Sequence, residues 1–168
     1  GGVGSATVQL AKALGARVVA AVSSDEKAQV VRGLGADEVV IGERWREGLS
    51  APVNLIVDPV GGNERFKESL RALAPEGRVV VVGFTSGEIP EVRVNRLLLR
   101  NVDVRGCSFG VLLADPASLA GATAQLGDLI AAGAVRPLIG SVYPLEQGRA
   151  ALRELEQRRA TGKVIITV

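Results

Sequence analysis

The first four residues, Gly1-Gly2-Val3-Gly4, run directly into an Ala/Leu/Val-rich stretch that reads as a helix, Ser5 to Leu14, and a strand-like run, Ala16 to Val22, follows. Glycines at this point leave the backbone bare where a helix begins. A bound group can then come close, and the helix behind the turn aims free N–H groups and a partial positive charge at an anion. In a G-x-G-x-x-G fingerprint the second glycine admits the pyrophosphate and the third lets helix and strand pack. Gly1 fits the second role and Gly4 the third; the first glycine would lie before residue 1. Turn, helix and strand in this order are the later part of a β-loop-α-β dinucleotide-binding unit whose first strand is missing. Glycine turns into helices also occur without a ligand. The chain holds no methionine, so the expectation is a piece of a longer polypeptide.

Composition narrows the chemistry. Hydrophobic residues make up 47% of the 168, enough for a sizeable core, and the net charge is only +2. Basic and acidic residues are interspersed, with no basic stripe, so a nucleic-acid partner is not expected. No apolar run approaches the ~20 residues of a membrane span, so no membrane partner is expected. No signal peptide is visible, and a cytoplasmic location is expected. There is one cysteine, Cys107, and no histidine. A Ser-His-Asp triad, a two-histidine metal motif and a cysteine-rich zinc lobe are therefore absent from these residues. Chemistry carried by a cofactor fits such a composition, because the protein then supplies binding and orientation.

Apolar runs alternate with helical patterns along the whole chain. Strands are expected at Val18–Val22, Glu38–Ile41, Asn54–Asp58, Arg78–Val82, Val102–Cys107 and Val164–Val168. Helices are expected at Asp25–Leu34, Glu64–Leu73, Ala117–Ala132 and Pro144–Glu156. Continuous Val/Ile runs between helices predict an α/β fold with a doubly wound, mostly parallel sheet covered on both faces, of Rossmann type. The segment after about Pro137 is expected to pack outside the main sheet. In the strand order 3-2-1-4-5-6 the first strand is central. Without it, unpaired backbone groups would face each other across a gap, so the isolated chain is expected to be unstable or to aggregate.

The end of the second strand decides between dinucleotides. NAD-preferring sites usually place Asp or Glu there to hold the ribose 2′-OH. Here the residues are Val22-Ser23-Ser24, with Lys27 one turn into the next helix. Hydroxyls and a cation suit a 2′-phosphate, which favours NADPH. The plainer reading is also open: Ser24 is a helix N-cap, Asp25 and Glu26 suit the dipole, and Lys27 is a solvated charge. Asp25 leaves some room for NADH.

Other candidates sit at strand ends, where ligands gather in doubly wound sheets. Asp58-Pro59-Val60-Gly61-Gly62 can bring backbone close to a ribose, or form an ordinary turn with Asn63 capping the next helix. Gly83 and Phe84 can flank a nicotinamide ring, Phe84 being otherwise a core or loop aromatic. Cys107, Ser108 and Phe109 can frame the same ring, although a lone cysteine on an apolar strand is usually a small buried hydrophobe. Arg158, Arg159 and Lys163 either close over cofactor phosphates or form a solvated helix end. No catalytic side chain and no metal ligand stand out.

These residues resemble a known family. Gly1 to Ala6 and Gln9 to Lys12 look like the cofactor loop and helix of medium-chain dehydrogenases/reductases, the zinc-free quinone oxidoreductase branch above all. Asp58 to Gly62, Gly77 to Gly87 and Ala160 to Val164 are similar to the same branch and occur in the expected order. The resemblance implies an NADPH-dependent reductase of quinones or α,β-unsaturated carbonyls, about twice this length, with a GroES-like substrate domain. Residues 1–136 would be its dinucleotide-binding domain and 137–168 the tail returning to the substrate domain. It also implies a homodimer through an edge strand near Val102 to Cys107. By position, Gly1, Gly2, Val3 and Gly4 would cradle the pyrophosphate, and Ser23 and Lys27, assisted by Arg159, would hold the 2′-phosphate. Phe84 and Cys107 to Phe109 would border the nicotinamide. Some members place a tyrosine after the third strand; here that stretch has Arg44 instead. An enoyl-thioester reductase, a zinc-type alcohol dehydrogenase, a non-catalytic NAD(P)H-sensing module and, at lower rank, a methyltransferase are the competing readings.

Overall fold

The computed structural model describes residues 1–168. In chain order the elements are α1 (Gly2–Ala13), β1 (Val19–Val22), α2 (Asp25–Gly33), β2 (Glu38–Ile41), β3 (Val53–Asp58), α3 (Asn63–Ala72), β4 (Leu73–Val81), α4 (Asn95–Leu98), β5 (Asp103–Gly106), α5 (Phe109–Leu113), α6 (Pro116–Ala131), β6 (Ile139–Pro144), α7 (Gly148–Glu156) and β7 (Lys163–Thr167). Single 3₁₀ turns lie at Trp45–Gly48 and Leu145–Gln147. The alternation is that of an α/β protein. β3, β4 and β5 pair in parallel, as do β6 and β7, while β1 pairs with β2. The strands are thus distributed over three sheets rather than one. The expected order has a central strand ahead of α1, and none of residues 1–18 forms one.

The chain divides into two compact units, Gly1–Val39 with Ala124–Val168, and Val40–Thr123. In the first, Val8 of α1, Val18, Ala20 of β1 and Val31 of α2 are buried together. Asp37 fastens this cluster: its carboxylate accepts from the Val18 amide at 2.7 Å and from Lys12 Nζ at 2.9 Å. Those bonds, the backbone one first, hold the Asp37 carboxyl below its ordinary value. In the second unit Phe66, Leu70 and Leu73 follow an i, i+4, i+7 spacing and bury against Val79 of β4 and Val102. Burial on this scale is worth about 1.5–3 kcal/mol for each large side chain.

Several expectations need correction. α1 begins at Gly2, not Ser5, so Gly2, Val3 and Gly4 form a first helical turn rather than a loop. Pro144 does not start a helix: it ends β6, and α7 follows only from Gly148. β6 was hidden because Gly140 and Pro144 read as breakers, yet a Cβ on Gly140 would lie 1.8 Å from the Thr161 carbonyl oxygen, so the close pairing with β7 demands glycine. The β5 edge of the three-stranded sheet is left bare. All four residues of β5 are exposed, and α5 and α6, which follow it, bury none of their own. Cys107 is accordingly exposed, not a small buried hydrophobe.

Candidate functional site

The first unit builds an anion-ready turn. The amide of Ser5 donates to the Gly1 carbonyl at 3.0 Å, the first helical bond of α1. The amides ahead of it in the first turn have no helical acceptor. α1 has no side-chain cap and no acidic residue in its first turn. α2 offers the contrast: Ser24 caps it, accepting from the Lys27 amide at 3.3 Å, and Asp25 and Glu26 fill its first turn. The positive end of α1 is therefore left uncompensated, and cations add to it. A Cβ on Gly2 would sit 3.3 Å from Lys163 Nζ, so the Lys163 side chain lies against the glycine turn.

The serines after β1 divide their work. Ser24 is an N-cap, as the plainer reading has it, while Ser23 is exposed. Lys27 is not a free solvated charge: its ammonium donates to the Arg158 carbonyl at 2.9 Å. That bond joins the start of α2 to the turn after α7, where Arg158 takes a left-handed φ of 57°. Arg159 follows in the same turn, its guanidinium donating to the Gln157 side chain. Nearby, Glu154 accepts from Tyr143 Oη at 2.7 Å and from Ser141 Oγ at 2.9 Å. The Glu154 bond raises the Tyr143 phenol above its ordinary value. Lys27 and the 158–159 turn are thus joined, with Ser23 just ahead of α2, whereas Lys163 lies against the glycine turn. Composition grouped Lys163 with the arginines and so missed its separate place.

The second unit holds the remaining candidates. Asp58 is buried, and its Oδ1 accepts from the amides of Val60 at 2.8 Å and Gly61 at 3.0 Å. It shapes its own turn; its Oδ2 is buried without a partner. Gly61 and Gly62 take φ of 70° and 87°, open to glycine at little cost. Gly83 and the exposed Phe84 follow β4 and lie against this turn: a Cβ on Gly61 would come within 3.0 Å of Phe84 Cδ1. Cys107 leaves β5 with its amide donating to the Val81 carbonyl at 2.9 Å, which places it next to the end of β4. Ser108 is the N-cap position of α5 and Phe109 its exposed first residue. Arg44 is exposed before the Trp45–Gly48 turn. Asn63 does not cap α3 as expected: Gly62 holds the N-cap position, and the Asn63 side chain donates at 2.6 Å to Glu88, a residue sequence reasoning missed.

Alternating strands and helices, parallel pairing and an uncompensated glycine turn at a helix start define the class, a Rossmann-type nucleotide-binding fold. Residues 2–126 match the family described as zinc-binding dehydrogenase, and the chain belongs to that family, within the medium-chain dehydrogenases/reductases. The chain is 38% identical to quinone oxidoreductase-like protein 2 of Bos taurus, over 100% of this chain and 50% of that protein. It is 32% identical to the acryloyl-coenzyme A reductase of Metallosphaera sedula, over 99% of this chain and 48% of that one. Among solved structures, the mycobacterial Rv1454c complexed with NADPH superposes with a TM-score of 0.87 at 32% identity, covering 100% of this chain and 54% of that one. The chain spans about half the length of the curated relatives it matches.

The family description names zinc, and this chain's own residues do not fit it: no group of three His, Cys, Asp or Glu side chains is placed to hold a metal ion. No helix is long and apolar enough to cross a membrane.

Proposed function

We propose that the chain is the cofactor-binding portion of an NADPH-dependent oxidoreductase that passes hydride to a quinone or an α,β-unsaturated carbonyl. The observation that carries this is the start of α1, a glycine turn with no acidic residue and with the Lys163 side chain against it. Such a turn suits the pyrophosphate. Ser23 and Lys27, where an NAD-preferring site carries a carboxylate, suit the 2′-phosphate, with Arg159 in the adjoining turn. Ser24 assists by fixing the start of α2. In the second unit Asp58, Val60 and Gly61 would offer the ribose a bare turn, and Arg44 would lie toward the adenosine. Gly83, Phe84 and the Cys107 to Phe109 segment would border the nicotinamide. The bound cofactor supplies the hydride; these residues hold and orient it, and none of them is a general acid or base.

The likeness to acryloyl-coenzyme A reductase favours an enoyl thioester as the second reading of the acceptor. Residues 137–168 would form the tail that returns to a GroES-like substrate domain, and the protein would be a cytoplasmic enzyme that works without zinc. β5 is an edge of its sheet and exposed, which supports a homodimer through Val102 to Cys107.

The test is a parallel titration of the full-length protein with NADPH and NADH, read by cofactor fluorescence. NADPH should bind about 10- to 100-fold more tightly, the worth of one or two charge-assisted bonds. Equal affinities would reject the phosphate site.

A further inference from the structure

Between β4 and α4 the chain does not run free over the surface. It continues alongside the turn after β3, fastened residue by residue. Val82 N donates to the Asp58 carbonyl at 2.9 Å, Thr85 N to that of Pro59 at 3.2 Å, and Ser86 N to that of Val60 at 2.8 Å. Thr85 Oγ1 donates to the Pro59 carbonyl as well, at 3.1 Å. At the far end the direction of donation reverses. Gly62 N donates to the Glu88 carbonyl at 3.0 Å. The Glu88 carboxylate then takes two bonds from one residue, Asn63 N at 3.1 Å and Asn63 Nδ2 at 2.6 Å. Asn63 Oδ1 completes the clasp by accepting from Glu91 N at 2.7 Å.

Asn63 is the first residue of α3, and α3 has no local side-chain cap, because Gly62 stands at its N-cap position. Glu88, 25 residues away in sequence, caps it instead. The carboxylate meets the free Asn63 amide and the positive end of the helix dipole, a favourable place for a negative charge. The bonds that hold the strap therefore also start the helix.

Gly83 and Phe84 are the span between the fastened points at Val82 and Thr85. The geometry points to Glu88 as a positioning residue: by clasping the strap to Asn63 at the start of α3, it sets where Gly83 and Phe84 stand against a nicotinamide ring. This rests on the assignment of those two residues to the nicotinamide under the proposed function. It goes beyond it in giving a role to a side chain that does not touch the cofactor.

A positioning role differs from a binding role in what it moves. The phosphates carry most of the cofactor's charge, and their site lies in the other unit, so affinity should change little when the clasp is cut. The rate of hydride transfer depends on the ring's placement, for which a misplacement of about 1 Å costs about a hundredfold. The experiment uses the full-length protein and the variants Glu88→Ala, Asn63→Ala and both together. NADPH affinity is measured by fluorescence, and turnover of a quinone by absorbance, with NADPH and with its 4-deuterated form. Each single variant should lower kcat about tenfold and raise the deuterium isotope effect, with the NADPH Kd within about threefold, a partial version of that misplacement. The double variant should be no slower than the slower single one, because both remove the same clasp. Glu88→Gln, which keeps one acceptor oxygen, should recover part of the rate. Unchanged kcat in Glu88→Ala, additive losses in the double variant, or a loss confined to Kd would each overturn the assignment. A wild-type protein that fails to bind NADPH would instead remove the proposed function, and this inference with it.

Discussion

Replacing Gly61 by alanine puts a methyl group into space the strap already occupies. Gly61 is buried with a φ of 70°, and its Cβ would stand 2.9 Å from the Glu88 carbonyl oxygen and 3.0 Å from Phe84 Cδ1. Backbone oxygen cannot swing aside as a side-chain end does, so the strap must move. Two costs follow. An L-residue in the left-handed region is strained by about 1–2 kcal/mol. Moving the Glu88 carbonyl breaks its bond to Gly62 N, worth about 1 kcal/mol net. Together Gly61→Ala should weaken the fastening by about 2–3 kcal/mol. Native-state hydrogen exchange reads this directly at the amides of Gly62 and Ser86, which donate across the two segments. At about 1.4 kcal/mol per decade, exchange there should quicken about 30- to 150-fold. Gly127 in α6 serves as the control, since nothing lies within 4 Å of its Cβ position. Its change to alanine should leave the strap alone and stabilise α6 by about 0.5–1 kcal/mol. Unchanged protection of Gly62 and Ser86 in Gly61→Ala would refute the close approach on which the reasoning stands.

Changing Ser23 and Lys27 together to alanine should weaken NADPH binding about tenfold or more while leaving NADH nearly untouched, the loss expected for a charge-assisted bond to phosphate; an equal loss for both cofactors in a fluorescence titration would place these residues elsewhere than at the 2′-phosphate. Asp37→Asn should destabilise the first unit at neutral pH. The folded Asp37 carboxyl lies below its ordinary value of 3.8, so its contribution is present above that pH and fades as the pH falls through the folded value; thermal melts across pH 2 to 7, on the order of the carboxylate range, should show wild type and variant converging only at the acid end. Val104→Lys puts a charge on the exposed edge strand β5. Sedimentation should show dimers giving way to monomers, and a wild-type protein that is already monomeric would dismiss that interface.

What could be read from the chain was what neighbours in sequence decide. β2 falls on Glu38–Ile41 as its apolar run predicts, and α2 and α6 lie within a residue or so of their capping and glycine signals. The same local logic singles out the glycine turn and Ser23-Ser24-Lys27 as candidates for phosphate, because such recognition at a helix start is written in a few adjacent residues. Features set by partners far along the chain left no such mark. Gly140 looks like a breaker until Thr161 is known to lie against it. Cys107 looks like core until α5 and α6 are found to bury nothing over β5. Glu88 looks like an ordinary loop carboxylate until Asn63 meets it. This division has a chemical counterpart. The legible residues are charged or bare groups that would attract an anion, so errors in reading them would show as changed affinity. The illegible ones fix distances between segments, so errors there show as changed rate. Under the proposed function hydride transfer would need both, the motif to hold the cofactor and the long-range clasp to set how well a ring held there would react.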